Sequence, residues 1–507
     1  MAGHARVLGA TLLGIEGIPV EVEARISSQL PRIDIVGLPE AAMRESAARV
    51  RAAVQAIGLP FPDRRITINL APAALRKQGA GLDLAVAVGI LAAGGTLPPT
   101  ALEGVGLIGE LALDGRLRPV RGALSQAACL RAAGCTRVIL PASHASEAGL
   151  LAEPPELARH LGEVIEKLAT GAALELARPP KLLTPGPPAA SDLGLVRGQW
   201  EAKRALLIAA AGGHGLLLRG APGAGKTLLA RCLPGLLPPL TGEECFEVAR
   251  IRDAAGLSSD TQPLHQRPFR APHHSATRAG LLGGGPSLSP GEVTLAHRGV
   301  LFLDELPEFD RSALESLRQI LEEGQVVHAR AVGRITLDAC FQLIAAANPC
   351  RCGWYGSGVR DCRCDEGSLA RYEARVSGPL LDRIDLHLSV QPVPFDDLAL
   401  PPTGPGTMAL RAQVIAARET QTHRLERAGL GQHAHHNAAI PMSSLDELVA
   451  ATPEASRILS RAVDRMALSA RAAHRLMRVA RTIADLAGEE KVGPAVMAEA
   501  VGFRAER

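Results

Sequence analysis

The chain has 507 residues, of which 47% are hydrophobic and 21% charged, with a net charge of +3. That length suggests about three domains with ordinary cores, and so small a charge leaves any nucleic-acid contact to local basic patches. No apolar run approaches the ~20 residues that span a bilayer, no basic-apolar-small leader opens the chain, and nine cysteines without one point to a reducing, cytoplasmic setting with no membrane partner.

The front of the chain reads as mixed α/β. Residues Ile18 to Ile26 alternate apolar and polar like a half-buried strand, and Arg65 to Leu70 do the same. Between them Met43, Ala47, Val50, Val54 and Ile57 recur at helical spacing, and Gly58 ends the helix. Gly81 to Ala93 reads as a further helix and Arg137 to Pro141 as a buried strand. The run Leu75-Arg76-Lys77-Gln78-Gly79-Ala80-Gly81, with Gly109-Glu110-Leu111 and Gly115 to Gly122 downstream, resembles the active-site region of the Lon protease domain. That resemblance implies a serine nucleophile activated by a lysine. Here the serine position falls on Gly81 and the lysine near Leu124, and neither can do the chemistry. Residues 1–175 are expected to form a Lon-protease-like α/β domain without its catalytic dyad, an unrelated α/β domain being the alternative.

Residues 176–191 are Pro-rich and read as a semi-rigid linker. Beyond it lies Gly220-Ala221-Pro222-Gly223-Ala224-Gly225-Lys226-Thr227, preceded by the apolar run Leu216-Leu217-Leu218 and followed by a helix. Strand, glycine loop and helix in that order make a phosphate cradle: glycines let backbone amides approach, and the helix N-terminus adds positive potential. Lys226 would reach the β- and γ-phosphates of ATP, and Thr227 would hold Mg²⁺. Lysine occurs only at positions 77, 167, 181, 203, 226 and 491, so a lysine at this point of the motif is not background.

Val300 to Leu303 form a second apolar strand ending in Asp304-Glu305. Carboxylates at that strand end suit Mg²⁺ held through water by Asp304 and a water polarised by Glu305. A helix follows, with Ser312 and Glu315 spaced as a capping box and Leu314, Leu317, Ile320 and Leu321 on one face. Gln325 to Arg330, a turn at Val332-Gly333, and Arg334 to Leu337 read as a hairpin; Phe341 to Ala347 form a buried strand ending in Asn348, placed to orient the lytic water or sense a γ-phosphate. In Leu380-Leu381-Asp382-Arg383-Ile384-Asp385, Arg383 stands where ring ATPases present an arginine finger.

These motifs, together with Arg270 to Thr277, Asn348 to Gly353, Ser377 to Asp385 and Val479 to Asp485, resemble the magnesium-chelatase-like AAA+ ATPases, specifically the ComM/YifB family. The resemblance implies an α/β AAA+ P-loop NTPase core at 192–395, a C-terminal helical lid at 396–507, and the Lon-protease-like domain in front. It also implies ATP and Mg²⁺ as cofactors, a homo-oligomer closing as a hexameric ring, and a helicase-type DNA motor promoting branch migration in recombination and natural transformation. Arg471 aligns with the arginine that senses bound nucleotide, although the residues alone do not separate it from Arg475, Arg478 and Arg481. A chelatase-type motor inserting a metal into a tetrapyrrole and an ATP-dependent protease are the competing readings.

Cys350, Cys352, Cys362 and Cys364, in a Cys-rich insert at 350–364, could hold Zn²⁺ or form a reduced loop or redox pair. The other five cysteines are expected to pack as small hydrophobes. His273 and His274 could contact DNA or a metal, or simply hydrogen-bond within their loop. His433, His435 and His436 read as solvated. Arg267, Arg270, Arg278, Arg330 and Arg334 could meet single-stranded or branched DNA through phosphates without sequence preference, or could form a solvated basic surface.

Overall fold

The computed structural model describes residues 3–38, 41–73, 77, 79–180, 192–257, 264–285, 288–330, 333–358, 360–394, 404–431 and 434–504. Most of the Pro-rich linker, part of the Leu75–Gly81 run, Val332 and His433 lie outside the described residues.

The front unit contains β1 (His4–Leu13), β2 (Glu16–Ser27), β3 (Arg32–Val36), α1 (Ala41–Ala56), β4 (Arg65–Ala71), α2 (Asp83–Ala93), β5 (Val105–Leu107), α3 (Ala123–Ala132), β6 (Arg137–Pro141), β7 (Glu156–Ala158), α4 (Leu161–Thr170) and β8 (Glu175–Leu176). Its eight-stranded mixed sheet runs β8-β7-β6-β5-β1-β2-β4-β3. The alternation along β2 and β4 buries Val20, Val22, Ala24, Ile66, Ile68 and Leu70 on one face. Helix α2 is apolar almost all round because it is buried almost all round. Its first residue, Asp83, is buried too and is bonded by Ser46 and Arg49 of α1 at 2.5 and 2.8 Å. Gly81 lies against Val120 and Gln126, and Leu124 at the start of α3 is fully buried.

The unit expected to be the motor contains α5 (Trp200–Gly212), β9 (Leu216–Arg219), α6 (Lys226–Leu236), α7 (Gly242–Ala254), β10 (Phe269–Arg270), β11 (Val300–Leu303), α8 (Arg311–Glu323), the hairpin β12 (Gln325–Arg330) and β13 (Gly333–Asp338), β14 (Gln342–Ala347), α9 (Glu366–Glu373) and β15 (Leu386–Ser389). Its sheet, β10-β11-β14-β9-β15, is parallel throughout. All of β11 and β14 is buried, as strands covered on both faces must be. Helices α10 (Thr407–Arg427), α11 (Pro453–Met466), α12 (Ala470–Ala487) and α13 (Pro494–Gly502) form the lid. Among the described residues no helix is long and apolar enough to cross a membrane.

Three local expectations need correction. The capping residue of α8 is Asp310, which accepts from Ala313 N at 3.0 Å; Ser312 already lies inside the helix, and the box of that type caps α7 at Thr241 and Glu244. Asp310 starts the helix two residues earlier and leaves Ser312 nothing to cap. His436 is only partly exposed: it packs against Gly213, and burial, with Arg418 and His214 nearby, pushes its pKa down to about 3. Cys340 is exposed rather than packed.

Front unit and motor meet over a specific surface. Ile15, at the tip of the β1–β2 hairpin, is buried in the motor's cluster with Leu301, Leu337 and Leu343. Asp253 at the end of α7 accepts from Gly122 N and Leu124 N at 3.1 and 2.9 Å, capping α3 across the boundary. Burial lifts the Asp253 carboxyl to about 7 despite those bonds.

Lid and motor are tied by Asp385. It accepts from Arg475 of α12 at 2.5 Å, lies 3.1 Å from His214 and accepts from Gly215 N at 3.2 Å, while His214 reaches Thr482 of α12 at 2.8 Å. Burial alone would raise the Asp385 carboxyl, but Arg475 and His214 outweigh it and hold it well below the carboxylate range. A carboxylate so depressed stabilises the fold above its unfolded pKa of about 3.9, and that contribution disappears as pH falls below it. Asp385→Asn is expected to cost about 3–5 kcal/mol near neutral pH, as removing one partner of a buried pair does. Thermal unfolding across pH should show a constant gap to wild type from about pH 8 to 5 that narrows below about pH 4.

Candidate functional site

The register of the parallel sheet brings the sequence motifs to one edge. Leu217 of β9 and Leu303 of β11 both lie opposite Ala345 of β14, and Arg219 lies opposite Ala347. Gly220 after β9 and Asn348 after β14 therefore emerge side by side, and Asp304 leaves β11 at the same edge two residues earlier. This is the carboxyl edge, where open α/β sheets bind ligands.

The loop from Gly220 to Thr227 uses its glycines for two reasons. At Gly220 a Cβ would lie 2.2 Å from Val390 O, so close packing on the strand β15 segment excludes a side chain. Gly223 and Gly225 have φ of +81° and +90°, and their Cβ directions point into open space. Lys226 is buried; its Nζ donates to Gly220 O at 2.6 Å, Ala221 O at 3.0 Å and Asn348 Oδ1 at 3.1 Å. Burial lowers the Lys226 pKa from the ordinary lysine range, with Asp304 and Glu305 pulling the other way. Thr227 Oγ1 donates to Asp304 Oδ2 at 2.8 Å. The two side chains offer adjacent oxygen donors of the kind a hard cation takes, beside a loop with room for phosphate.

Glu305 adopts φ of +53°, a conformation that costs a non-glycine residue about 1–3 kcal/mol. Its amide donates to Asp304 Oδ1 at 3.0 Å, and its carboxylate lies 3.1 Å from His274 Nδ1. His274 stacks on His273 with ring centroids 4.1 Å apart. The His274–Glu305 contact is the feature that the motifs did not reveal. The signal was the position of the His pair just after β10, whose neighbour in the sheet is β11.

Arg383 and Arg471 are brought together elsewhere. Both face Glu322, near the far end of α8, at 2.7 and 3.6 Å. Eleven residues of helix separate Glu322 from the start of α8, roughly 16 Å along its axis. Burial would raise the Glu322 carboxyl, but Arg383, Arg471 and Arg475 hold it below its ordinary range. The buried Arg383 Nε has no hydrogen-bond partner among the described residues. Glu322, too, escaped the sequence reading.

The arginines also divide. Arg267 is paired with Glu244 at 3.0 Å and donates to two backbone carbonyls, while Arg270 forms a two-point pair with Glu292 at 2.7 Å. Both are committed to holding the chain and are not free for phosphate. Arg278 and Arg334 are exposed.

The four cysteines of the insert converge, with all four Sγ atoms within 4.8 Å of one another.

Comparison with known proteins covers most of the chain. Three family models match: "Magnesium chelatase, subunit ChlI" at 192–398, "Subunit ChlI of Mg-chelatase" at 22–144, and "Magnesium chelatase, subunit ChlI C-terminal" at 404–504. The chain is 42% identical to the uncharacterized protein YifB of Salmonella typhimurium, covering 97% of this chain and 95% of that protein. It is 40% identical to the competence protein ComM of Haemophilus influenzae, covering 99% and 97%. Likeness to the magnesium-chelatase 67 kDa subunit of Heliobacterium mobile is 30% and covers 39% of this chain and 30% of that one.

The loop geometry yields a test in nucleotide-binding measurements. Gly225→Ala places a Cβ at φ of +90°, a strain of about 1–2 kcal/mol that should weaken ATP binding roughly tenfold. Gly242→Ala, at a position with open space and no such backbone, should leave the affinity unchanged.

Proposed function

Because the chain belongs to the ComM/YifB family of magnesium-chelatase-like AAA+ proteins, we propose that it is an ATP-hydrolysing ring motor that moves DNA strands and promotes branch migration in recombination and natural transformation. The observation that carries the ATPase reading is the convergence of Lys226, Thr227, Asp304, Glu305 and Asn348 at one strand edge.

Lys226 would exchange its carbonyl partners for β- and γ-phosphate oxygens. Thr227 and Asp304 would hold Mg²⁺, which when bound neutralises charge on those oxygens. Glu305 would accept the proton of the attacking water, and Asn348, already bonded to Lys226, would orient that water or report the γ-phosphate. His274 occupies the Glu305 carboxylate in this state, and that contact must open before Glu305 can serve as a base. Arg383 and Arg471, clustered on Glu322 at the far end of α8, would serve a neighbouring subunit's nucleotide, which requires the buried Arg383 to leave Glu322 and Pro379 O first. Closed head-to-tail assembly supports that arrangement, and a hexamer is the ring proposed.

The DNA reading rests on the competence name of one full-length relative and on two exposed arginines, Arg334 in the β12–β13 hairpin and Arg278 after the His273–His274 pair. A chelatase-type motor shares the ATPase chemistry and the family models, but the relatives matching along nearly the whole chain are YifB and ComM, whereas the 67 kDa chelatase subunit matches over 39% of it. The deciding experiment is ATPase rate with single-stranded or branched DNA over a salt series. Stimulation that fades as salt rises supports the DNA motor; no stimulation at low salt overturns it.

Three variants sharpen this. Glu305→Gln should lower kcat by about 10²–10⁴ while ATP binding persists, leaving DNA bound but not unwound. Arg334→Ala should weaken DNA binding equally for all sequences and reduce the salt slope by about 1. Arg270→Ala, which breaks the pair with Glu292, should lower the unfolding temperature instead.

A further inference from the structure

We propose that Cys350, Cys352, Cys362 and Cys364 form a structural Zn²⁺ site that fastens the end of the Asn348 strand to the phosphate loop. In a tetrahedral tetrathiolate site with Zn–S bonds of ~2.3 Å, sulfurs lie about 3.8 Å apart. Cys350 Sγ lies 3.3 Å from Cys352 Sγ and 3.7 Å from Cys362 Sγ, and Cys352 Sγ lies 3.6 Å from Cys362 Sγ. Cys364 Sγ is within 4.8 Å of all three. No pair is at the ~2.05 Å of a disulfide, and all four cysteines are free. Four sulfurs from two pairs separated by nine residues thus converge on one point, at separations that a single tetrahedral ion would span.

Backbone N–H groups face the sulfurs. Cys362 Sγ accepts from Cys364 N at 3.4 Å. Cys352 accepts from the backbone of Trp354 and Arg363, and Cys364 from the backbone of Cys352. Backbone donors aimed at ligand atoms are the outer partners that orient metal ligands and spread their charge. Four thiolates and one Zn²⁺ leave a net charge of −2, and Arg351, Arg360 and Arg363 in the same loop offset it. Arg360 is itself held over the Trp354 ring at 4.9 Å.

The site has a position that matters. Cys350 is two residues beyond Asn348, and Gly353 rests on Pro222 of the phosphate loop, where a Cβ would come within 2.7 Å of that ring. On the other side the insert leads into α9, which Asp365 caps by accepting from Ser368 N at 2.6 Å. A metal here locks a loop of little apolar content against the nucleotide site, where hydrophobic packing alone has little to offer.

Metal analysis of the full chain, purified under reducing conditions, should find about one zinc per chain. Cobalt introduced in place of zinc should show the charge-transfer bands of a tetrahedral tetrathiolate, and a thiol reagent should find four fewer reactive thiols until a mercurial displaces the metal. Cys352→Ser and Cys364→Ser should each lose most of the zinc. Cys362→His, which preserves a ligand, should keep it with an altered cobalt spectrum. Zinc loss should weaken ATP binding several-fold. The proposal is overturned if the wild-type chain holds no zinc and takes up no cobalt when reduced, if iron occupies the site, or if mass spectrometry finds these cysteines joined as disulfides. Because the wild-type measurements need no variant, a variant that fails to fold does not shield the idea.

Discussion

The parallel pairing of β9, β11 and β14 is the constraint on which the rest of this molecule depends. Three short apolar strands, each fully or nearly buried, pair in one register, with Leu217, Ala345 and Leu303 forming a single row. A slip of one residue would turn each strand's side chains to the opposite face and would part Lys226 from Asn348 and Thr227 from Asp304. The chemistry is thus positioned by backbone hydrogen bonds and apolar burial, and the reacting groups themselves contribute little to holding it. The strain at Glu305 and the buried amine of Lys226 are tolerated because that framework is rigid.

Around this sheet the chain is tied together by a few carboxylates, two of them buried. Asp385 joins motor to lid, Asp253 joins motor to front unit, and Glu322 gathers Arg383 and Arg471. Each acts at a junction between elements distant in sequence, where one ionised or shared carboxyl can satisfy several donors at once. Glu322 sits near the end of α8 and so brings Arg383 and Arg471 to that helix. The front unit is docked through Ile15 onto the core that also holds the β12–β13 hairpin.

Much of this was legible in the sequence, and for physical reasons. The glycine-and-lysine spacing of Gly220 to Thr227 marked a strand, loop and helix in that order, and the structure has β9, the loop and α6 there. Buried parallel strands are continuous apolar runs, so β9, β11 and β14 were found to within a residue or two. The helices facing a core kept their period, as α12 shows with Leu476, Val479, Ala480 and Ile483 buried. What escaped depends on neighbours that sequence spacing does not supply. His274 reaches Glu305 because β10 lies beside β11, and Arg267 and Arg270 are neutralised by glutamates from other elements. The cap of α8 was misplaced because Asp310 and Ser312 are both good capping residues, and only the backbone decides between them. His436 looked polar in a polar stretch, yet the lid folds it against Gly213.

If the nucleotide site is completed by a neighbour, two inactive subunits should repair each other. Lys226→Ala removes the phosphate loop's lysine but keeps Arg383; Arg383→Ala does the reverse. Mixing the two inactive proteins should restore ATPase activity, at about a quarter of the wild-type rate if subunits assort at random around a closed ring. No recovery, in a mixture shown to co-assemble, would contradict the account.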